Sequence, residues 1–434
     1  MEWWTIAIIF FGGLIVLISL GMPICFSLAI IGISGLSFFI GVDRALEMLP
    51  MTMYKHAASY TLTAVPLFVL MGELILRSGL GNSLFEAFSR WLGRTPGGLI
   101  MASIASAGVF GAMSGSATAS AATFGRIAVP EMIRRGVDRR LATGAVAAAG
   151  GLAPIIPPSI IMIVYGIVSE QSIGALFMAA MIPGIILMFL MMGAAYIRVK
   201  HNPTLYPVPE RGYSLRQKVA SLRDTWAIVL IIFLVLGTIY MGIATPTEAA
   251  ALGAAATLVV TIVYRKMSWS VLKESAIGTI GITSMLIFIL VFARLYSTAM
   301  TVSGVTNGFI ESVTGLDVSP WLIIIGIQLI FILLGLFIDQ ISIILITVPL
   351  VFPVITALGF NPIWFGVVMI VNMSIALVTP PLAFNLYIVQ RANPEVPIED
   401  VTHGAMTFLV AELVGLGILI AFPALSLWLP SLMR

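Results

Sequence analysis

The polar oxygens set inside apolar sequence are the residues of this chain that could do chemistry. Ser114, Ser116, Thr118 and Ser120 interrupt a long apolar stretch at Gly111-Ala112-Met113-Ser114-Gly115-Ser116-Ala117-Thr118. Asp339, followed by Ser342, interrupts a second one at Gly335-Leu336-Phe337-Ile338-Asp339-Gln340-Ile341-Ser342. Hydroxyls, carboxylates and unwound backbone carbonyls are the hard ligands an alkali cation takes in a membrane. A carboxylate inside a membrane is costly and marks function by default; Asp339 would ligate a cation or carry a proton. The plainer alternatives are close helix packing by small residues around Ser114–Ser120, and pairing of Asp339 with a buried arginine such as Arg294. Asn372 and Asn385 flank a Pro-Pro pair, where they would bind substrate or brace a bend. Glu73, Glu248 and Glu412 read as paired or snorkelling side chains.

Two Pro-Pro pairs must position these groups. One lies in Gly151-Leu152-Ala153-Pro154-Ile155-Ile156-Pro157-Pro158-Ser159, the other in Ala376-Leu377-Val378-Thr379-Pro380-Pro381-Leu382. Proline removes a backbone donor and clashes with the preceding turn, so each pair should break its helix. Irregular backbone at membrane depth is tolerated only where protein or a water-filled cavity satisfies it. Matching breaks in two halves point to a transporter's binding site.

Composition fits that setting. The 434 residues are 60% hydrophobic and 9% charged, against about a quarter charged in soluble proteins. Apolar runs of membrane-spanning length recur along the chain, so the expected fold is an all-α polytopic membrane protein. The net charge of +3 sits in loops, which suits membrane orientation and argues against nucleic-acid binding. Cys25 is the only cysteine, which excludes an internal disulfide. Residues 1–20 lack a basic leader and a small-residue cleavage site, and read as a first span. There is no phosphate-loop motif for ATP hydrolysis, no His-Glu-x-x-His or Cys-x-x-Cys pattern for a transition metal, and no nucleophile elbow. An ion gradient is the driving force left, and no enzyme activity is expected.

The chain reads as one plan repeated. Residues 1–224 hold spans within 3–76, an amphipathic arm 78–95, a hairpin 97–133, a broken helix 141–170, a span 174–197 and a basic loop 198–224. Residues 225–434 hold spans within 226–296, an arm 298–317, a hairpin 319–356, a broken helix 362–391 and a span 403–430. Adding 223 carries Trp3 onto Trp226, Ser116 onto Asp339, Pro130 onto Pro353, and Pro157-Pro158 onto Pro380-Pro381. Five crossings per repeat would invert the second copy. Charge agrees, because Lys and Arg concentrate in cytoplasmic loops. The basic segments 134–140 and 198–224, the latter with Arg198, Lys200, Arg211, Arg216, Lys218 and Arg223, face uncharged 357–363 and a tail with only Arg434. The arms contrast likewise, Arg77, Arg90 and Arg94 against Glu311 and Asp317, and so do basic 265–273 and balanced 43–56. Both termini are therefore expected outside, the first hairpin entering from the cytoplasm and the second from the other side. An elevator-type transporter is expected, with the hairpins and broken helices, 97–170 and 319–391, moving together and spans 3–76 and 226–296 staying fixed.

At the hairpin tip Gly-Ala-Met-Ser-Gly-Ser, at Ile156-Pro157-Pro158-Ser159-Ile160 with Tyr165-Gly166, and at Thr379-Pro380-Pro381, the chain resembles the large membrane subunit of TRAP transporters. The likeness covers essentially its whole length. It implies a sodium-driven importer of organic acids in the bacterial inner membrane, with C4-dicarboxylates, keto acids, sialic acid and other sugar acids all open as substrates. It implies a periplasmic substrate-binding protein and a small four-span membrane subunit, here expected as a separate polypeptide. No cofactor is implied beyond Na+ as coupling ion. By this resemblance one sodium binds near Ser114, Gly115 and Ser116 with carbonyls around Gly150, Gly151, Ile155 and Pro157. A second binds near Asp339 and Ser342 with those around Ala376, Thr379 and Pro380. Substrate contacts are placed at Ser116, Thr118, Asn372 and Asn385. A stand-alone sodium carrier of the divalent-anion type would share the hairpins and repeats, and is the alternative; a channel is a more distant one.

Overall fold

The computed structural model describes residues 2–207, 213–223 and 225–432. Arg211 and Arg434, counted above among the loop and tail charges, lie outside them, as does the predicted repeat boundary at residue 224. The regular structure is helical throughout the described residues. The first half runs α1 (Trp3–Ser19), α2 (Ile24–Ile40), α3 (Val42–Ala57), a 3₁₀ turn (Tyr60–Thr63) leading into α4 (Ala64–Ser78), and α5 (Gly81–Leu92). It continues with α6 (Gly98–Ser114), α7 (Ala117–Arg134), α8 (Arg139–Gly150), α9 (Ile160–Ser169), α10 (Ile173–His201) and α11 (Leu215–Leu222). The second half runs α12 (Trp226–Tyr240), α13 (Pro246–Val263), α14 (Trp269–Val302) and α15 (Val305–Thr314). It ends with α16 (Pro320–Gly335), α17 (Gln340–Ala357), α18 (Pro362–Ala376), α19 (Phe384–Ala392), α20 (Ile398–Ala421) and α21 (Ala424–Leu427).

Six helical segments among the described residues are long and apolar enough to cross a membrane: 60–78, 173–201, 246–263, 269–302, 340–357 and 398–421. The helices around the breaks are shorter. α9 has 10 residues, about 15 Å at 1.5 Å per residue, half a hydrocarbon core. Several element bounds recur at the 223-residue offset. Adding it to 117–134 gives 340–357, the bounds of α7 and α17. The Pro157-Pro158 and Pro380-Pro381 bonds are both cis.

Local chemistry explains where helices start. Ser116, Asp138, Ser159, Ser172, Asp339 and Asn361 each accept a backbone N–H from the first turn of the helix they precede, satisfying donors that have no intrahelical partner. Thr245 and Glu248 form a capping box at α13, so Glu248 is a cap residue. Glu73 is also paired, at 2.8 Å to Arg77, which reaches Glu274 on α14 at 2.7 Å.

Three connections differ from the sequence reading. Residues 43–56, read as a link between spans, form the amphipathic helix α3; low hydropathy hid it, and Pro50 sits inside it. The arm predicted over 298–317 begins later, because α14 runs unbroken to Val302 and only α15 is the arm. The loop predicted over 198–224 starts inside α10, which continues to His201, and contains α11.

Packing sorts the helices into two groups. α2 and α4 pack on α14, α4 also on α13, and α12 on α13. The hairpins and broken helices interlock across the halves: α19 packs on α7 and α8, α17 on α9, and α20 on α8. α10 packs on α6, α18 and α20 and joins this second group. Where α8 crosses α20, a Cβ on Gly144 would lie 2.1 Å from the Gly404 carbonyl carbon; only glycine lets these backbones approach so closely. Beside that crossing, Arg139 and Arg140 each reach Asp400 at 2.7 Å.

Candidate functional site

Both hairpin turns open onto one cavity of about 310 Å³. Gly115, Ser116 and Thr118 line it from the first hairpin, and Asp339, Gln340 and Ile341 from the second. Pro154 and Ile160 contribute from the first break, Leu377 and Phe384 from the second, and α14 closes the wall with Ile282, Met285 and Leu286.

The two sequence-equivalent residues occupy equivalent positions. Ser116 is the N-cap of α7: its Oγ accepts from the Ala119 N–H at 3.3 Å and lies 3.1 Å from the Thr118 hydroxyl. Asp339 is the N-cap of α17: one carboxylate oxygen accepts from the Ser342 N–H at 3.2 Å and the other accepts the Ser342 hydroxyl. Ser342 is fully buried. Arg294 does not approach Asp339. It donates to the Ile167 carbonyl and faces Glu170, so the pairing raised for Asp339 in the sequence is not made.

The first hairpin turn packs tightly. Gly115 takes a left-handed conformation at φ 59°, and a Cβ there would meet the Ile160 nitrogen at 3.2 Å. Ser114 is buried with an unpartnered hydroxyl, and a Cβ on Gly72 of α4 would sit 2.9 Å from its Cα.

At the first break, Gly150 O accepts from the Ala153 N–H at 3.2 Å, whereas Gly151, Ile155 and Pro157 carbonyls accept no hydrogen bond among the described residues. At the second, Ala376 O accepts from Thr379 N–H at 3.3 Å, the Thr379 hydroxyl donates to Ile375 O at 2.7 Å, and the Thr379 and Pro380 carbonyls accept no hydrogen bond among the described residues. The breaks therefore supply the unpaired backbone oxygens that the proline pairs imply.

Asn372 and Asn385 lie elsewhere. Both are fully buried, and neither lines the cavity. Asn372 donates to the Gln328 carbonyl and side-chain oxygens at 2.8 and 2.7 Å, tying α18 to α16. Asn385 donates to Ala147 O at 3.0 Å, tying α19 to α8. Bracing is the role this geometry supports. Sequence reasoning missed α14 as a cavity wall, because its contribution is three apolar residues without a motif.

The electrostatics of the cavity follow from helix direction. The N-terminal residues of α7, α9, α17 and α19 all line it. The N-termini of α7, α9 and α19 carry unpaired N–H groups and the positive end of the helix dipole, which favour an anion, whereas at α17 the Asp339 carboxylate already holds that place. Of the groups expected to hold sodium, Gly115, Ser116 and Asp339 line the cavity, whereas Ser114, Ser342 and the carbonyls of Gly151, Ile155, Pro157, Thr379 and Pro380 do not; the Asp339 carboxylate favours a small cation. The arrangement can hold an anion beside a cation.

Comparison with known proteins decides the family. Residues 11–425 match the profile of the tripartite ATP-independent periplasmic transporter, DctM component. The chain belongs to this family. It is 36% identical over 406 residues to the C4-dicarboxylate TRAP transporter large permease protein DctM of Pseudomonas aeruginosa, covering 92% of this chain and 93% of that one. It is 30% identical to the isethionate TRAP transporter permease protein DctMQ of Oleidesulfovibrio alaskensis, over 88% of this chain and 59% of that one. Its fold is similar to the crystal structure of the Alcanivorax borkumensis YdaH transporter, with a TM-score of 0.64 at 13% identity, covering 88% of this chain and 89% of the other. This TRAP permease is thus an all-helical, multi-pass membrane protein. It is a transport component rather than an enzyme, one part of a tripartite system.

Proposed function

We propose that this permease is the large membrane subunit of a sodium-driven importer of an organic acid anion in a bacterial inner membrane. A binding protein outside the membrane hands over the anion, and a small four-span subunit buttresses the permease. The observation that carries this reading is the central cavity, where the N-termini of α7, α9 and α19 and both hairpin turns meet, with Asp339 in the wall. The carboxylate of the anion sits against the N-termini, with Ser116 and Thr118 as hydrogen-bond donors. One sodium takes Ser114 and the first break; the other takes Asp339, Ser342 and the second break. Binding sodium first places positive charge beside the anion site, which couples the two.

The two halves act as inverted repeats, with both termini outside. The charge contrast between 134–140 and 357–363 supports this orientation, and the recurrence of helix bounds at the 223-residue offset supports the repeat. The group α6–α10 with α16–α20 forms the moving body, and α1–α4 with α12–α14 forms the scaffold. Exposed apolar residues such as Phe233, Val259 and Ile280 on the scaffold helices offer a face for lipid and the small subunit.

The test is reconstitution of both membrane subunits in liposomes with the loaded binding protein, using succinate and N-acetylneuraminate as cargo. Uptake should require an inward sodium gradient and the binding protein. Uptake without sodium overturns the coupling. Sodium-driven uptake without the binding protein makes the protein a stand-alone carrier.

A further inference from the structure

A second cavity, of about 340 Å³, opens where the end of α3 and the 3₁₀ turn meet α9 and α14. Lys55, His56, Ser59, Thr61, Glu170 and Arg294 stand in its wall. Arg294 is the built part. Its Nη2 donates to the Ile167 carbonyl at 2.6 Å, and its Nε is buried without a partner. Its one ionic partner among the described residues is distant: Nη1 lies 3.7 Å from a carboxylate oxygen of Glu170, whose side chain is 81% exposed. A long pair with a solvated carboxylate contributes little. The guanidinium therefore keeps donors free, facing a space large enough for a small molecule.

The charge of the wall is positive. Arg294 and Lys55 outnumber Glu170. Burial holds His56 below its ordinary range, and the charges of Arg294 and Lys55 push the same way against Glu170. The position is equally informative. α9 lines the central cavity at Ile160 and Ile161 and this one at Gly166 and Ile167, with its C-cap Glu170. α14 lines the central cavity at Met285 and Leu286 and this one at Leu290 and Arg294. Four residues of helix separate Leu286 from Leu290, about 6 Å, and nine separate Met285 from Arg294, about 13 Å. Both cavities are thus lined in part by the same two helices, α9 and α14.

We propose that this cavity is a receiving site for the organic anion, where a carboxylate pairs with Arg294 and Lys55 before passing along the α9–α14 seam to the central cavity. A carboxylate matches the planar fork of arginine through two parallel hydrogen bonds, which a solvated Glu170 at 3.7 Å does not. Glu170 is the displaceable counter-ion. Ser59 and Thr61 offer hydroxyls to the rest of the molecule. The site rests on the organic-anion reading above and on the orientation that places α3 outside.

The test uses the complete transport system in cells, with Cys25→Ser and, at a wall position given no binding role, Gln171→Cys, and an impermeant thiol reagent. Succinate and N-acetylneuraminate are the probes, and chloride is the control. Position 171 should react from outside, and at least one acid should slow the reaction whether or not sodium is present. Adding Arg294→Gln should raise the acid concentration for half-protection about tenfold, the loss expected for charge-assisted hydrogen bonds; Arg294→Lys should recover part of it. An unchanged labelling rate without acid shows that the wall is intact in each variant. Labelling that neither acid slows, or protection that survives Arg294→Gln, overturns the receiving site while sodium-driven uptake by the parent still stands. Labelling only in inside-out vesicles overturns the orientation and the receiving role with it.

Discussion

Ser116 and Asp339 do the same local job with different charge. Each caps a helix at a hairpin turn and lines one cavity, yet one is a neutral hydroxyl and the other an acid. A cation beside Asp339 is balanced by a full charge, and a cation beside Ser116 only by dipoles. The two sodium sites of the proposed mechanism should therefore respond unequally. Asp339→Asn keeps a good N-cap while removing the charge, so it tests ion binding with little loss of fold; the sodium concentration for half-maximal uptake should rise about tenfold. Ser116→Ala should raise it a few-fold and also cost about 1 kcal/mol of stability through the lost cap. Wild-type sodium dependence in both variants would refute the assignment, and an altered proton dependence in Asp339→Asn alone would change the coupling ion. These two residues were legible because polar oxygens stand out in apolar sequence. The roles of Asn372 and Asn385 were not, since substrate binding and bracing call for the same amide. Only the partners, Gln328 and Ala147, separate them.

Helices were legible wherever apolar length or proline marked them, and illegible where only tertiary contact holds them. α3 carries Asp43, Arg44, Glu47 and Lys55 on a short helix and shows no span-like run. α14 has no proline between Trp269 and Val302, so nothing in its sequence marks a boundary between span and arm. The α8–α20 crossing was equally hidden, because Arg140 and Asp400 are separated by 260 residues. Structure gives that crossing a distinct energetic signature. Asp400 is nearly buried at 8% exposure, while Arg139 and Arg140 are half exposed. Asp400→Asn leaves two arginines that water can solvate, so the loss should be moderate, about 2 kcal/mol. Thermal unfolding of the purified protein should show a lower midpoint that Arg139→Gln reproduces in part. An unchanged midpoint would mean that the Gly144–Gly404 backbone contact alone holds the crossing.

At the scale of the whole molecule, the two packing groups meet along few surfaces: α14 on α17, α4 on α6 and α9, and α10 on α12. The central cavity lies on that boundary, with the hairpin turns on one side and α14 on the other. A site at such a seam can change its exposure by movement of one body against the other, the pattern of alternating access in inverted-repeat carriers. The sequence anticipated the hairpins and broken helices as one unit, but left α10 and α20 unassigned; their packing on α6, α8 and α18 is a property of small residues such as Gly144 and Gly404 that no apolar count reveals. The rigid-body account makes a discriminating demand on cross-links, all in a Cys25→Ser background. Gly125 on α7 and Ala392 on α19 come from different halves but the same group, and a Cβ on Gly125 would lie 3.4 Å from the Ala392 Cβ, close to disulfide range. A disulfide there should leave uptake near the parent level. Met285 on α14 and Ile341 on α17 face the same cavity from opposite groups. Cysteines at these two positions, joined by a short bifunctional thiol reagent, should stop uptake, and a reducible version of the reagent should allow recovery on reduction. Loss of uptake with the 125–392 disulfide would mean that the hairpin and the second break move separately. Full uptake with 285 and 341 joined would remove the moving-body account and leave a local gate at the hairpin turns, opening toward each side in turn while the two groups stay fixed.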